Sequence, residues 1–286
     1  MKKKLLIIII ILISTSFTTG KKENAINNKS LKDSLKGEEI RVCTGNWPPI
    51  QYEEKNEKVS GVAVSFLGKE LSKLGVKIKF DILPWKRCLN YLKETDHKKM
   101  YHFSTYVTWN KKREKTYSFS NPFFLGQGFY VYTKKKYPKG LKIINKKIMN
   151  KDFSICGRAG FNYIQFGIKD NSKVSRTANS FPQLIKQLKN DRCDLFLERG
   201  VNLTGVPLIG YTDVFSDGNF STGKVPEMPP EKSFLMLNRN YSKLNSLKNH
   251  LNQIIEKGWK KGVLRTQIKK LLGEKNKYIK RPDWTK

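Results

Sequence analysis

The residues best suited to binding a small solute lie between Leu83 and Phe124. Trp85 begins a predicted helix, a hydroxyl-rich run ends at Thr108, and Arg113 comes five residues later. An aromatic ring can stack on a solute, a hydroxyl forms hydrogen bonds, and a guanidinium matches a carboxylate as a planar fork. No nucleophile with a base partner accompanies these residues, so the stretch indicates capture of a small anion rather than catalysis.

Alternating strands and helices are predicted to position these residues. Apolar, strand-forming runs predict strands over residues 40–44, 77–83 and 100–105. Helical spacing of Val64, Leu67, Leu71 and Leu74 predicts a helix that stops at Gly75, and a second helix is predicted over residues 85–93. This order is typical of a parallel sheet with helices on its faces.

The pattern restarts after an apolar, aromatic segment at residues 123–132. Strands are predicted over residues 153–157, near Val174 and over 194–198. Helices are predicted after Gly160 and over residues 181–189, with Ser180 as the N-cap. The chain then returns through a strand at 233–237 and two helices, one from Leu244 to about Gly258 and one at 263–272.

The repeated pattern predicts an α/β fold with two lobes, each a mainly parallel sheet flanked by helices. We assign residues 38–131 and 226–273 to lobe 1 and residues 132–225 to lobe 2. Two crossings between the lobes would let them hinge about a cleft. Because ligands collect at the carboxyl ends of parallel strands, the site is expected where both lobes present those ends.

Both termini are predicted to lie outside the lobes. Three lysines at positions 2–4 precede an apolar run at residues 5–13, which is too short for a bilayer span of roughly 20 residues. Small residues near Thr18 and Gly20 suit signal peptidase, so residues 1–20 are predicted to be a cleaved signal peptide that leads to the periplasm. An uncleaved anchor is the alternative. Residues 21–37 are predicted to be a flexible leader, and residues 274–286 a basic tail.

The formal net charge of +32 raises the question of an anionic partner. The lysines are scattered in twos and threes along the chain, and no nucleic-acid-binding motif accompanies them. We therefore expect no nucleic-acid partner and interpret the charge as a solvated basic surface facing anionic envelope polymers. A sensing or docking module that uses this surface is an alternative function.

Four cysteines, Cys43, Cys88, Cys156 and Cys193, are consistent with an oxidising compartment. Cys43 lies in a predicted strand and Cys88 in a helix that begins at the same end of the sheet, which favours a bridge between them. Cys156 and Cys193 are expected at opposite ends of neighbouring strands, too far apart for a disulfide. The cysteines and histidines lack metal-site spacing, so no metal and no cofactor is expected.

Five motifs, in chain order, resemble the periplasmic solute-binding proteins of family 3, the polar amino-acid-binding type of ABC transporter component. The resemblance runs from about residue 38 to 273. The motifs are the run from Cys43 to Pro49, the helix start from Pro84 to Arg87, Arg113 with Phe119-Ser120 and Pro122, the turn from Gly160 to Tyr163, and the run from Arg192 to Leu195.

The resemblance implies a two-lobed clamshell that closes on a solute and docks on a membrane permease. By position, Trp47 and Trp85 would sandwich the solute. Thr108 would offer backbone or hydroxyl contacts, and Arg113 would grip a carboxylate. Each role has a simpler alternative: the tryptophans could fill core, and Arg113 could be a surface side chain paired with Glu114.

The resemblance also assigns residues of lobe 2 to the solute. The turn at Phe161 and Asn162 would donate backbone N–H groups to the carboxylate. Amino-acid binders of this family hold the ligand's ammonium with an acid at the position of Arg199, and Glu198 lies one residue earlier. Because strand side chains alternate faces, Glu198 would face away unless the strand bulges. The solute is thus an amino acid held by Glu198 or an anion without an ammonium group.

The sequence therefore predicts a monomeric periplasmic protein that captures a small carboxylate-bearing solute, an amino acid or a relative, for an ABC permease. It is not expected to be an enzyme. The competing hypothesis is an exported enzyme on the same scaffold, resembling the dehydratases related to this family. That enzyme would need an acid or base in the cleft, for which Glu198, Lys86 and Tyr106 are the candidates.

Overall fold

A computed structural model describes residues 33–141, 153–168 and 170–283. The predicted signal peptide and residues 21–32 of the predicted leader lie outside the described residues. The strands are β1 (Glu39–Thr44), β2 (Tyr52–Glu53), β3 (Val59–Ser60), β4 (Lys77–Ile82), β5 (Phe103–Thr108), β6 (Tyr117–Phe119), β7 (Phe124–Gly126), β8 (Gly128–Thr133), β9 (Ile155–Arg158), β10 (Val174–Ala178), β11 (Leu195–Arg199), β12 (Phe220–Lys224), β13 (Glu231–Asn238) and β14 (Ile279–Lys280).

From β3 onward, α-helices are interspersed among these strands within the described residues. They are α1 (Val62–Ser72), α2 (Trp85–Tyr91), α3 (Lys111–Glu114), α4 (Phe181–Lys189), α5 (Gly200–Gly205), α6 (Leu244–Lys260) and α7 (Val263–Leu272). The predicted bounds of α4 and α7 are confirmed. Helix α4 begins where predicted because the side chain of Ser180 accepts a hydrogen bond from the N–H of Gln183.

Most of the strands belong to one of two larger sheets. The first has the order β14-β7-β13-β5-β1-β4, with β6 also paired to β13, and the second has the order β10-β9-β11-β8-β12. The chain passes from the first sheet to the second at Gln127, between β7 and β8, and returns between β12 and β13. Two crossings therefore join the sheets, as a hinged cleft requires.

Each sheet is mixed rather than mainly parallel. In the first sheet, β1 pairs in parallel with β4 and β5, whereas β13 runs antiparallel to β5. In the second, β9 pairs in parallel with β10 and β11, whereas β8 runs antiparallel to β11. Strands β8 and β13 enter directly from the other sheet without a crossover helix, so they need not run parallel to their neighbours.

Buried aromatic and aliphatic side chains fill both sheets and continue between them. Phe66, Phe103 and Phe123 lie in the core of the first sheet, and Phe181 contacts Phe196 beside the second. One apolar cluster includes residues of both sheets, and within it the rings of Trp47 and Phe161 are 5.7 Å apart. The two lobes are therefore packed against each other across the cleft.

Two disulfides fix elements that border the cleft. The expected bridge between Cys43 and Cys88 is confirmed, and it ties the start of α2 to β1. The expectation that Cys156 and Cys193 are too far apart is wrong, because they form the second disulfide with Cα atoms 5.7 Å apart. Cys156 lies near the beginning of β9 rather than late in it, and the chain bends at Arg192 and Asp194, on either side of Cys193, before β11 begins.

The prediction of an α-helix after Gly160 is also wrong. A single 3-10 turn, Ile164–Phe166, stands in its place. Gly160 has a φ of 75°, and Gly167 ends the turn in the left-handed conformation, so neither residue continues helical geometry. The segment instead packs its rings inward, since Phe161, Tyr163 and Phe166 contact one another.

Candidate functional site

Two adjacent cavities lie in the cleft, at the carboxyl ends of strands from both sheets. The smaller, which we call the inner cavity, has a volume of about 20 Å³ and is lined by Trp47, Trp85, Tyr106, Val107, Thr108, Arg113, Phe161, Asn162 and Arg199. Six of the seven ligand-binding residues predicted from the sequence thus meet at one cavity. The seventh, Glu198, does not line it.

Arg113 is held in the inner cavity by its own local structure. The N–H of Arg113 donates to the side chain of Asn110, which caps the short helix α3. Its Nη1 donates to the backbone oxygen of Thr108 at 2.8 Å and to Oγ1 of the same residue at 3.1 Å. The guanidinium also lies 5.6 Å from the ring of Trp85. Arg113 is therefore a cleft residue rather than a solvated surface side chain.

The charge of Arg113 has no carboxylate partner within the described residues. Burial, with a contribution from the nearby Arg199, lowers its pKa to about 10. At neutral pH the guanidinium is still protonated, so the inner cavity contains an uncompensated positive charge. An anion bound there would reduce the repulsion between the two guanidiniums.

The two tryptophans form walls between the lobes. The ring of Trp47 is 7% exposed and is covered by the guanidinium of Arg158, which lies 3.9 Å from its centroid. A Cβ at Gly45 would lie 2.6 Å from Nε1 of Trp47, so glycine is required for this ring position. Trp85 is half-buried at the start of α2. Both rings also line the second cavity.

Arg199 occupies the position at which the resemblance implies an acid. It is 3% exposed, and its guanidinium lies 5.0 Å from the ring of Tyr106 and 4.8 Å from that of Phe161. Its Nε donates to Oε2 of Glu231 at 2.5 Å, and its Nη2 donates to Oε1 at 3.3 Å. Burial acts to lower the pKa of Arg199, but the adjacent Glu231 outweighs it and the pKa is raised. The pair is ionic and connects β11 in the second sheet with β13 in the first.

Glu198 points away from the inner cavity. It is 1% exposed, and its Oε1 accepts hydrogen bonds from the N–H of Arg199 at 2.8 Å and from Nδ2 of Asn202 at 2.9 Å. Its Oε2 lies 3.8 Å from Nη1 of Arg158. Residues Phe196 to Arg199 pair with β8 one by one, without the bulge that would turn Glu198 towards the cavity.

Phe161 and Asn162 bring lobe 2 to the inner cavity through a turn. The N–H of Phe161 donates to the backbone oxygen of Arg158 at 3.1 Å, so it is already engaged. The side-chain oxygen of Asn162 accepts from the N–H of Ile164 at 3.3 Å. No α-helix begins here, so Phe161 and Asn162 lie in a turn and not at the N-terminus of an α-helix.

Tyr106 owes its place in the inner cavity to an irregularity of β5. The pairing of β5 with β13 shifts register between Phe234 and Met236, and Tyr106 adopts a φ of 59°. A positive φ is unfavourable for a large side chain and marks a constrained position. The sequence contains no turn residue that would signal this bulge.

The second cavity, which we call the outer chamber, has a volume of about 680 Å³ and adjoins the inner cavity at Trp47 and Trp85. Its other lining residues are mostly apolar or small and come from both sheets; they are Gly45, Asn46, Pro48, Ile82, Leu83, Pro84, Lys86, Arg158, Ala159, Asn179, Ser180, Phe181, Pro182, Asn202, Val206, Ile209 and Tyr211. Most of these positions carried no functional signal in the sequence, because they come from segments far apart in the chain that meet only after folding.

The sequence matches a protein family over most of its length. Residues 40–274 fit the family described as bacterial extracellular solute-binding proteins, family 3. The chain belongs to this family. Sequence comparison with curated proteins gives no match.

Solved structures share this fold at low sequence identity. A structure described for glutathione import and the cystine ABC importer of Streptococcus mutans is 18% identical, with a TM-score of 0.67, and the match covers 88% of this chain and 99% of that one. An ABC uptake substrate-binding protein from Streptococcus pneumoniae, with bound histidine, is 16% identical with a TM-score of 0.65, covering 86% and 96%.

A third structure, titled as an ancestral amino-acid-binding protein and precursor of cyclohexadienyl dehydratase, is 18% identical with a TM-score of 0.64, covering 86% and 99%.

The family and these neighbours support the two-lobed α/β fold. Membership implies a small-molecule ligand and an extracellular or periplasmic location. Within the described residues, every helix is too short or too polar to span a bilayer. The His, Cys, Asp and Glu side chains of the described residues form no group that could hold a metal ion.

Proposed function

We propose that this protein is the periplasmic solute-binding component of an ABC transporter and that it captures a small carboxylate-bearing solute between its lobes. The solute would be an amino acid or a related compound, delivered to a membrane permease. The protein acts as a monomer and without a cofactor. A cleaved signal peptide at residues 1–20 directs it to the periplasm.

One observation supports this proposal above the others: an unpaired, mostly buried guanidinium lies beside two tryptophans at the meeting point of the lobes. Arg113 is fixed by Thr108 and has no carboxylate partner among the described residues. A buried charge without a counter-ion is costly, so its presence in a cleft favours an anionic ligand. Trp47 and Trp85 supply apolar surfaces to the same cavity.

Ligand binding by the purified mature protein tests the proposal. A thermal-shift screen against amino acids and organic acids identifies a ligand, because a compound that binds only the folded state raises the melting temperature. Calorimetry then compares the wild type with Arg113→Ala. We expect Arg113→Ala to weaken binding at least about thirtyfold, since loss of one partner of a buried charge pair costs about 2 kcal/mol or more.

Lys112→Ala is the matched control, because Lys112 is an exposed neighbour on the same short helix. It should leave the affinity within about twofold, as expected for a surface charge. If Arg113→Ala binds the ligand as tightly as Lys112→Ala does, Arg113 does not hold the solute and the proposed site is refuted.

An exported enzyme on the same scaffold is the second candidate, favoured by the neighbour titled as a dehydratase precursor. Its candidate groups are Glu198, Lys86 and Tyr106. Oε1 of Glu198 already accepts two hydrogen bonds within the protein. Burial raises the pKa of Tyr106 well above its usual range, so Tyr106 is not poised to release a proton at neutral pH. Turnover of a cyclohexadienyl acid that Glu198→Gln abolishes would favour the enzyme.

A further inference from the structure

The charged side chains that line the two cavities of the cleft are all cations, as far as the described residues show. Arg113 and Arg199 line the inner cavity, and Lys86 and Arg158 line the outer chamber. No aspartate or glutamate is present among the lining residues of either cavity. An ammonium group bound in this cleft would face these cations, and no carboxylate among the lining residues could act as its counter-ion.

The two carboxylates nearest the cleft are already engaged behind these cations. Glu231 accepts both hydrogen bonds of Arg199, and the side chains of the pair are only 8% and 4% exposed. Glu198 is surrounded by Arg158, Asn202 and the N–H of Arg199. To reach an ammonium group, either carboxylate would have to leave a buried guanidinium without its partner, which is strongly unfavourable.

The sizes of the two cavities determine which part of a solute each of them can hold. The inner cavity of about 20 Å³ has room for roughly one water, so it can take a carboxylate oxygen but no side chain. The outer chamber of about 680 Å³ falls within the range of small-molecule sites, and Trp47 and Trp85 border both spaces. A solute with its carboxylate at Arg113 must therefore extend its body into the outer chamber.

The surfaces of the outer chamber favour an apolar or aromatic body. Phe181 and Tyr211 join the two tryptophans, and three prolines and several aliphatic side chains complete most of the lining. The guanidinium of Arg158 lies over the ring of Trp47 and is paired with Glu198, so it does not present an unpaired charge to the outer chamber. Flat, apolar walls of this kind stabilise a ring by stacking and burial.

We propose that the solute is an organic carboxylate that lacks an α-ammonium group and carries an apolar or aromatic body, with the carboxylate at Arg113 and the body in the outer chamber. This inference rests on the proposed function and narrows its ligand class. It differs from amino-acid capture in one chemical group, so compounds that differ only in that group test it directly.

The test uses matched pairs on the wild-type protein, measured by calorimetry at constant pH and salt. The pairs are phenylalanine with 3-phenylpropionate and tryptophan with indole-3-propionate, and 3-phenylpropionamide serves as an uncharged control. We expect each deaminated acid to bind at least about tenfold more tightly than its amino acid, and more tightly than the amide and than acetate. Arg113→Ala should remove the advantage of the acid over the amide.

Tighter or equal binding of an amino acid in either pair overturns the inference. If that binding depends on Arg113, the proposed function stands while its narrower ligand class fails. If neither pair binds, the inference is overturned, and the broad metabolite screen then decides the proposed function on its own. The two failures are therefore distinguishable.

A charge-swapped variant adds a second, independent measurement. Arg199→Glu combined with Glu231→Arg keeps the ion pair between the sheets but places a carboxylate at the inner cavity. We expect this variant to weaken the preference for the deaminated acid of each pair, because the group that faces the inner cavity changes sign. Circular dichroism checks that it folds, and a folded variant that retains the wild-type preference contradicts the role assigned to Arg199. The wild-type comparison decides the proposal if the variant does not fold.

Discussion

The buried ion pair between Arg199 and Glu231 is predicted to contribute strongly to stability, and Arg199→Met tests this. The substitution keeps much of the side-chain volume but leaves Glu231 buried without its cation. Both hydrogen bonds of the pair, at 2.5 and 3.3 Å, would be lost in a region where the two side chains are 4% and 8% exposed. Removing one partner of such a pair costs about 3–5 kcal/mol.

The free energy of unfolding, measured by urea titration, reports this loss. Arg199 lies in β11 of the second sheet and Glu231 in β13 of the first, so the loss should also be visible as weaker cooperativity between the lobes. Adding Glu231→Gln to Arg199→Met removes the unpaired charge. We expect this double variant to recover a large part of the lost stability.

Lys260→Met is the matched control, because Lys260 pairs with Glu256 at 2.6 Å on the exposed face of α6, where the two side chains are 60% and 42% exposed. An exposed pair of this kind contributes about 0–1 kcal/mol. If Arg199→Met lowers the free energy of unfolding by no more than Lys260→Met does, Arg199 and Glu231 do not form a buried ionic contact. The reasoning about the charge of the inner cavity would then fail as well.

Three further predictions concern pH, a disulfide and a close approach. Burial lowers the pKa of His102 to about 4, so the folded state resists protonation of this side chain. The free energy of unfolding should therefore fall by up to about 3 kcal/mol as the pH drops from 6.5 to 4. His102→Gln should make the free energy of unfolding, measured by urea titration, depend less steeply on pH over this range. Replacing both Cys156 and Cys193 by serine opens a loop of 37 residues and should lower the free energy of unfolding by about 3–4 kcal/mol. An unchanged midpoint of denaturant unfolding would contradict the pairing. Gly45→Ala should displace Trp47 and weaken ligand binding about tenfold in calorimetry, and unaltered affinity would show that this ring is not a wall of the site.

Much of the fold followed from local patterns. The bounds of α4 and α7 are confirmed, because the cap at Ser180 and the apolar spacing from Val263 to Leu272 act within a few residues. Strand β5 lies three residues later than predicted, at Phe103–Thr108, and contains the bulge at Tyr106. A bulge depends on the partner strand, which comes from residues more than a hundred positions away, so no local pattern predicts it.

The residue types at the candidate site can be read from the sequence, but which charges face the inner cavity cannot. Six predicted residues meet at the inner cavity, whereas Glu198 does not, and Arg199 takes its place. The alternation of side chains along a strand already suggested this outcome, but only the uninterrupted pairing of β11 with β8 establishes it. The partner of Arg199, Glu231, lies 32 residues further along the chain and had no signal of its own.

The order of strands and helices, and the spacing of an arginine to the Phe-Ser run that follows it, are properties of the sequence alone, because they depend on interactions between near neighbours. The signs of the charges that face the cleft, the bend that brings Cys193 to Cys156, and the division of the cleft into a small inner cavity and a large outer chamber depend on the tertiary structure. Each requires segments far apart in the chain to meet, and the free energy of that meeting comes from long-range packing and pairing rather than from local preference.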